Sequence, residues 1–535
     1  MTTTSGDQGV LDGLEQTPAR KPLSLPIRPR SAFDDLGFAA TVDALVKQTQ
    51  QLYLADGVPW VVGYSGGKDS TATLQLVWLA IKGLEPEQRT KPIHVISTDT
   101  LVENPVVAAW VMNSLDVLGK AAQEQELPIT PNRLTPAVND TFWVNLIGRG
   151  YPAPGPKFRW CTERLKIKPS NTFIRNMVRA HGEAILVLGT RKAESSARHA
   201  RMAALESRRV RDLLSPNGTL PNALVYSPVE DWSNDDVWTF LMQTANPWGH
   251  SNKELLTMYQ SGSEDSECPL VVDTTTPSCG DSRFGCWTCT LVDQDKSMAA
   301  MVSNDEEKEW MLPLLELRDQ LNTAGREKRD FRRMNGSVQL YTRTERTADG
   351  KQEQVELTIP GPYTQDARAE WLTSLLKAQA WIRQNGPDYV KSLELITPAE
   401  LEEVRRIWVV DKHEFEDRLP AIYEEALGEP YPGGPLDEHL PLGADMIDAL
   451  REVAGDALHF ELVRELLDIE QRHRAQVRRA GLFDSLGKAL RKGFYDDEND
   501  ALDRARSRKN PRAAATPVND PILVADGWIR EESAE

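Results

Sequence analysis

The chain has 535 residues, 40% of them hydrophobic and 27% charged, and a formal charge of −18. At roughly 150 residues per domain, that length suggests about three to four domains and a sizeable buried core. No stretch approaches the roughly 18 to 20 uninterrupted apolar residues of a membrane span, and the acidic surplus argues against coating nucleic acid by bulk electrostatics; any such contact is local or partner-assisted.

Residues 1 to about 32 are rich in Thr, Gly, Pro and Arg and lack both hydrophobic periodicity and an apolar h-region. They read as a disordered cytoplasmic leader rather than a signal peptide or lipid anchor. Short apolar runs then alternate with amphipathic ones: VPWVVGYS, DSTATLQLVWLAIKG, PIHVISTDT, PVVAAWVMNSLDVLGKAAQEQE and LPITPNRL. This rhythm predicts βαβ units on a doubly wound, largely parallel α/β sheet over residues 33–265, with Asn104-Pro105 as a helix cap and first turn. KIKPSNTFIRNMVRAHG and AILVLG extend the rhythm, placing another strand in the same sheet, and Ser233 caps a short helix in SPVEDWSNDDVWTFLMQ. A cysteine-rich segment occupies 266–300. A mainly helical region follows over 301–495, with a hairpin in SVQLYTRTERTADGKQEQVELTIPG, and 496–535 reads as a second disordered tail.

Ser65-Gly66-Gly67-Lys68-Asp69-Ser70 stands between a strand and a helix that begins near Asp69. Its glycines permit a tight turn and close approach of backbone to ligand, so amides and the positive helix end can hold phosphate oxygens. It is too short for a Walker A loop. The second strand ends Ser97-Thr98-Asp99-Thr100, where a doubly wound sheet presents residues to its crevice; Asp99 either meets a nucleotide or Mg²⁺, or caps the loop. Cys161 lies among Lys157, Arg159, Arg164 and Lys166, whose charge is expected to lower its pKa and suit it to carry a persulfide; the alternative is a small buried hydrophobe. Arg159, Arg164 and Lys166 suit a phosphate or sulfate group, as does Arg191 in Gly189-Thr190-Arg191-Lys192, whose positive face Arg198 and Arg201 extend.

The sequence has five cysteines, and four fall in the pattern Cys268-x10-Cys279-x6-Cys286-x2-Cys289, a set able to wrap one metal centre. Spacing alone leaves zinc and iron–sulfur open. The basic run Arg326, Lys328, Arg329, Arg332, Arg333 is either a local DNA-backbone contact or an ordinary charged surface helix.

The SGGKDS loop resembles that of the PP-loop ATP pyrophosphatases, of the adenine nucleotide alpha hydrolase type. In that resemblance Ser65, Gly66, Gly67, Asp69 and Ser70 hold the pyrophosphate end of ATP, and Lys68 adds charge at a variable position. STDT, RWCT with its following basic helix, GTRKAES and EDWSNDDVW are together similar to the phosphoadenosine-phosphosulfate-reductase branch. The cysteine set, with Asp330-Phe331-Arg332-Arg333-Met334-Asn335-Gly336 and Gly361-Pro362-Tyr363-Thr364, resembles the DndC family of DNA phosphorothioation. The resemblance implies ATP, Mg²⁺ and a 4Fe–4S cluster on Cys268, Cys279, Cys286 and Cys289. It gives catalytic roles to Lys68, Asp69, Asp99, Cys161 and Arg191, and Arg159 and Arg164 would join the nucleotide loop in binding. DNA, a cysteine desulfurase supplying sulfur and other Dnd-type modification proteins are the implied partners, with no membrane. Rival readings are a sulfonucleotide reductase, a tRNA thiolase and a non-catalytic cluster-bearing sensor.

Overall fold

The computed structural model describes residues 30–156, 158–209, 211–262, 285–346, 352–436, 444–474, 478–493 and 495–509. Helix α1 (Phe38–Leu54) precedes strand β1 (Trp60–Gly63). Helix α2 (Lys68–Lys82) then leads to β2 (Ile93–Thr98), α3 (Pro105–Glu124) to β3 (Ile129–Leu134) and α4 (Lys168–His181) to β4 (Ala184–Val187). After α5 (Ser196–Glu206) come β5 (Ser215–Pro216) and β6 (Ala223–Tyr226), a strand too short and too closely flanked by prolines to stand out in the sequence. The sheet order is β3-β2-β1-β4-β6-β5, and only β5 runs antiparallel. Val62 pairs with Val95 on one side and Val187 on the other.

Alternation along the strands supplies both faces. Trp60, Val62, Val95, Ile185 and Val187 pack with Leu74, Val77, Trp78, Leu115 and Leu118 of α2 and α3. Val61, Ile96 and Leu186 point the other way, onto Ile174 and its neighbours in α4. The order reverses direction between β1 and β4, so the loops after these two strands flank a switch-point crevice, as the sequence rhythm predicts.

The remaining helices are α6 (Asn234–Gln243), α7 (Asn252–Ser261), α8 (Lys296–Asn304), α9 (Leu312–Thr323), α10 (Gln365–Asn385), α11 (Pro398–Arg406), α12 (Arg418–Leu427), α13 (Ala444–Ala454), α14 (Ala457–Arg474), α15 (Leu482–Gly493) and α16 (Glu498–Lys509). The expected hairpin is β7 (Leu340–Arg346) with β8 (Gln352–Thr358). Helix α16 corrects the reading of 496–535 as a disordered tail over residues 498–509; residues 510–535 lie outside the described residues. Asp500 pairs with Arg504 along the helix, and Arg506 and Lys509 reach Glu356 of β8. The leader reading is corrected in part as well: Ser31 Oγ and the Ala32 amide donate to the buried Asp236 carboxylate at 2.5 and 3.1 Å. Residues 1–29 lie outside the described residues. No helix among the described residues is long and apolar enough to cross a membrane.

One apolar core runs from α2 and α6 into α10 and α11 and joins the two regions. At their junction the Tyr363 amide donates to Gly150 O at 2.7 Å and Trp408 Nε1 to Ile147 O at 2.9 Å. Gly361 permits this clasp, because a Cβ there would fall 1.5 Å from Arg332 O. Overpacking of this kind costs about 1–3 kcal/mol. Gly361→Ala is therefore expected to lower the apparent urea midpoint clearly, whereas Gly218→Ala, whose Cβ meets nothing within 4 Å, leaves it in place.

A cleft of about 1740 Å³ opens between the 327–336 loop, α10, the 411–418 loop and α14. Burial and the neighbouring Arg368 pull the Lys412 ammonium there down to about 8, against the pull of Glu414, Glu461 and Asp330. An unfolded lysine titrates near 10.4, so between about 8 and 10.4 the unfolded chain binds more protons and stability rises with pH. Lys412→Met is expected to stabilise the fold by up to about 3 kcal/mol at pH 7, a gain that fades as pH climbs toward 10.4. Urea unfolding of both proteins at pH 7 and pH 10 measures this.

Candidate active site

The SGGKDS loop occupies the switch point. Gly66 takes φ +74°, and a Cβ on it would meet Val111 Cγ2 at 2.5 Å. Ser70 Oγ closes the turn, donating to Gly67 O at 2.9 Å, accepting from the Ser65 amide at 3.2 Å and lying 3.1 Å from Ser65 Oγ. From the neighbouring strand, Gly189 comes so near the start of α2 that a Cβ would lie 2.6 Å from Asp69 O. Two residues on, the buried Arg191 pairs through Nε with Asp69 Oδ1 at 2.6 Å and donates from Nη1 to Trp232 O at 3.2 Å. Lys68 Nζ lies 3.1 Å from the other Asp69 oxygen. The loop thus carries a carboxylate held between two cations. The tryptophan that supplies the carbonyl lies in the Asp-Trp-Ser entry to α6.

Sequence reasoning missed Tyr259 of α7. Its hydroxyl accepts from the Lys68 amide at 3.4 Å, and Lys68 Nζ lies 5.7 Å from its ring centroid. Burial pushes its phenol up to about 12, so it stays a neutral donor and acceptor. No local motif marks it, because α7 reaches the loop only through the tertiary fold.

Asp99 fills the capping role of the two that the sequence left open. Oδ1 accepts from the Leu101 amide at 2.8 Å, and Oδ2 pairs with Arg133 at 2.6 Å. The basic residues around Cys161 are likewise engaged: Arg164 pairs with the buried Asp140 at 2.7 Å, Lys168 grips its other oxygen and Lys166 lies 3.2 Å from Glu103. Arg159 is exposed, and Lys157 lies outside the described residues. This corrects the expectation of a depressed Cys161 pKa. Burial raises the thiol and Cys289 adds to that, while a hydrogen bond with Thr162 opposes them. Cys161 immediately precedes a π-helical turn, Thr162–Ile167, a geometry that recurs at functional sites.

Cys286 and Cys289 share one turn, closed by the Cys289 amide donating to Cys286 O at 3.0 Å. The turn is laced to the loop after β2: the Asn104 amide donates to Gly285 O at 3.2 Å and the Trp287 amide to Val102 O at 3.0 Å. Burial first, then Glu103, pushes the Cys286 thiol up to about 12, with Lys166 and Thr100 opposing. Cys161 lies near enough to interact electrostatically with both cysteines. Half-buried cysteines paired on one turn are held as thiolates by a positive centre, which a thiophilic metal supplies, so the chemistry of this half of the donor set fits one. Among the described residues no three His, Cys, Asp or Glu side chains form a metal site; Cys268 and Cys279 lie outside them.

Arg318 of α9 was also missed. It is fully buried and donates to three carbonyls beyond the cysteine turn: Cys289 at 3.1 Å, Asp293 at 2.6 Å and Val292. Within a leucine-rich amphipathic stretch it reads as a surface charge.

In the basic run 326–333, which the sequence left as either a DNA-backbone contact or an ordinary charged surface helix, four of the five cations are engaged within the fold and Arg333 is exposed. The run is an irregular clasp rather than a helix surface, and its charge is mostly consumed. Arg326 donates to Thr358 at 2.8 Å, Lys328 pairs with Glu370 at 2.6 Å, Arg329 holds Gly361 O at 2.6 Å and Arg332 joins Asp330 and Glu461, each at 2.7 Å.

The nucleotide loop, the Gly189 loop and the cysteine turn all fall within one recognised stretch. Residues 59–291 match the phosphoadenosine phosphosulfate reductase domain family. An uncharacterized protein of Methanocaldococcus jannaschii is 28% identical over 210 residues, which are 39% of this chain and 35% of that protein. The chain thus spans about a third of the relative's length. FMN adenylyltransferase of Candida glabrata, solved with FAD and inorganic pyrophosphate, is 12% identical with a TM-score of 0.25, over 43% of this chain and 63% of that one. The U34-tRNA thiolase NcsA of Methanococcus maripaludis, solved with its 4Fe-4S cluster, is 14% identical with a TM-score of 0.26, over 54% and 82%. Scores this low carry no argument about chemistry.

Removing the Arg318 guanidinium takes the shared donor from the Cys289, Val292 and Asp293 carbonyls, of which Asp293 O keeps Asn322 Nδ2 at 3.2 Å; a hydrogen bond to a charged group contributes about 1.5–3 kcal/mol. Arg318→Met is expected to speed hydrogen exchange across residues 285–293 at least tenfold while leaving β1 and β4 protected; equal exchange in both proteins would show that the clasp does not hold the turn.

Proposed function

We propose that the protein is an ATP pyrophosphatase that activates a DNA backbone phosphate for sulfur incorporation, the activity of the DndC family. The observation that carries this reading is the switch-point loop, with its bare Gly66 and Gly189 and its clamped Asp69, placed one strand from a thiol-bearing turn. In this reading the loop amides, Lys68 and Arg191 neutralise and orient the triphosphate, with Mg²⁺ arriving on the phosphates, since Asp99 is engaged elsewhere. A non-bridging DNA phosphate oxygen attacks the α-phosphorus and pyrophosphate leaves. Cys161, charged with a persulfide by a desulfurase, then attacks the DNA phosphorus and AMP leaves. Because the other four cysteines of the chain are assigned to the cluster, the second thiol is an external thiol reductant: it attacks Cys161 Sγ, breaks the sulfur–sulfur bond and leaves phosphorothioate on the DNA, and a second equivalent of that reductant returns the mixed disulfide on Cys161 to the thiol.

Cys286 and Cys289, with Cys268 and Cys279, would hold a 4Fe–4S cluster, which when bound supplies iron sites for sulfide or for electrons. The family match supports a second reading, reduction of a sulfonucleotide bound in the same crevice.

Protein purified anaerobically is expected to contain about four irons and four sulfides, lost in Cys286→Ala. It should release pyrophosphate from ATP when duplex DNA and a charged desulfurase are present. Asp69→Ala, which frees Arg191 from its partner, should lower that rate by about 100-fold or more. One zinc without sulfide would sink the cluster. Pyrophosphate release indifferent to DNA would sink the DNA reading, and tight binding of a sulfonucleotide with none of ATP would establish the second.

A further inference from the structure

The chain's charge is unevenly laid out. Residues 157–211 hold fourteen Lys and Arg against four Asp and Glu, a surplus of ten positive charges in a chain whose total is −18. This segment supplies Arg191, α4 and α5. Several of its cations are neutralised within the fold: Lys192 by Glu206 and Asp231, Arg209 by Glu230, Arg211 by Glu183 and Arg198 by Glu194. Arg201 and Arg208 are exposed and make no ion pair among the described residues. They stand seven residues apart, about two helical turns, along and just beyond α5.

Helix α5 itself has no buried residue. Met202, Leu205 and Glu206 are half-buried and its other eight residues are exposed, so most of the helix surface is open to a partner. It begins five residues after Arg191, which grips Asp69 in the crevice, and its last residue, Glu206, returns to Lys192 beside Arg191 at 2.7 Å, so both ends of the helix stay close to the loop that borders the crevice. Arg175 and Arg179 on α4 are equally exposed and unpaired among the described residues, but their place differs. The α4 start is tied to the strand ends by the Ser170–Thr98 hydroxyl contact of 2.9 Å, and the helix runs from there toward the start of β4, away from the crevice.

We infer that α5 and its exit turn form the nucleic-acid docking surface, with Arg201 and Arg208 holding the phosphodiester backbone so that one phosphate enters the crevice. The inference rests on the crevice being where that phosphate reacts. It takes precedence over the 326–333 run, where Arg326, Lys328, Arg329 and Arg332 are engaged within the fold and Arg333 is left exposed, and it reconciles an acidic chain with a polyanionic partner: the contact is local, and the acidic remainder repels DNA from other faces.

The test is fluorescence anisotropy of the full-length protein with a labelled duplex, a single strand and a tRNA, each titrated across KCl concentrations. The Arg201→Glu, Arg208→Glu pair is expected to weaken duplex binding at least tenfold and to cut the salt slope by about 1.8, while ATP binding is kept. Arg175→Glu, Arg179→Glu makes the same charge change away from the crevice and should cost less than threefold. Unchanged binding by the first pair, equal loss in both, or no binding of any nucleic acid by the wild type would each overturn the surface. Tighter binding of tRNA than duplex, lost in the first pair alone, would keep the surface and overturn the DNA reading of function. If the reversal pair loses ATP binding, Arg201→Gln, Arg208→Gln reads the same change in slope.

Discussion

The structure turns on one close approach, that of the bare Gly189 Cα to the backbone of Asp69 and Ser70. The switch-point crevice exists because β1 and β4 are neighbours whose following loops diverge, and it is narrow because no side chain stands between them. That nearness lets Arg191 reach Asp69, and Arg191 in turn anchors on the carbonyl of Trp232 at the entry to α6. Three separate stretches of chain thereby fix the start of α2, and the charge of the loop is set before any ligand arrives. Preorganisation of this kind removes the cost of arranging dipoles during reaction.

The sheet was legible because its signals are local. Alternation, the Asn104-Pro105 cap and the glycine turn each declare themselves within a few residues, and the expected strands formed where the apolar runs stand. Strand β6 escaped because four residues between prolines carry too little pattern. Helix α16 escaped because the groups it meets lie some 140 to 150 residues away in sequence: Arg506 and Lys509 reach Glu356, and Glu498 accepts from Thr358 Oγ1, which composition cannot register. The site was legible in its residues but not in its partnerships. Spacing put basic groups around Cys161; it could not show that Asp140, a residue with no motif, takes Arg164 and Lys168 and leaves the thiol to the consequences of burial. Tyr259 and Arg318 act through contacts that only the folded chain creates.

Charge bookkeeping explains much of the difference between expectation and finding. Eighty acidic side chains are enough to occupy most arginines, so a basic run in the sequence is poor evidence of a basic surface. Arg332, nearly buried between Asp330 and Glu461, is as much a structural strut as the glycine beside it. What survives as free positive charge is where acids are scarce over a long window, and that is a property of the segment rather than of any motif.

The hydroxyl of Tyr259 carries one further consequence. It occupies the Lys68 amide, a donor that a phosphate oxygen in the cradle would claim, so an incoming nucleotide competes with the phenol for it. A ligand that brings no oxygen to that amide leaves the phenol's bond in place, so the ring favours an anionic occupant of the cradle over a neutral one.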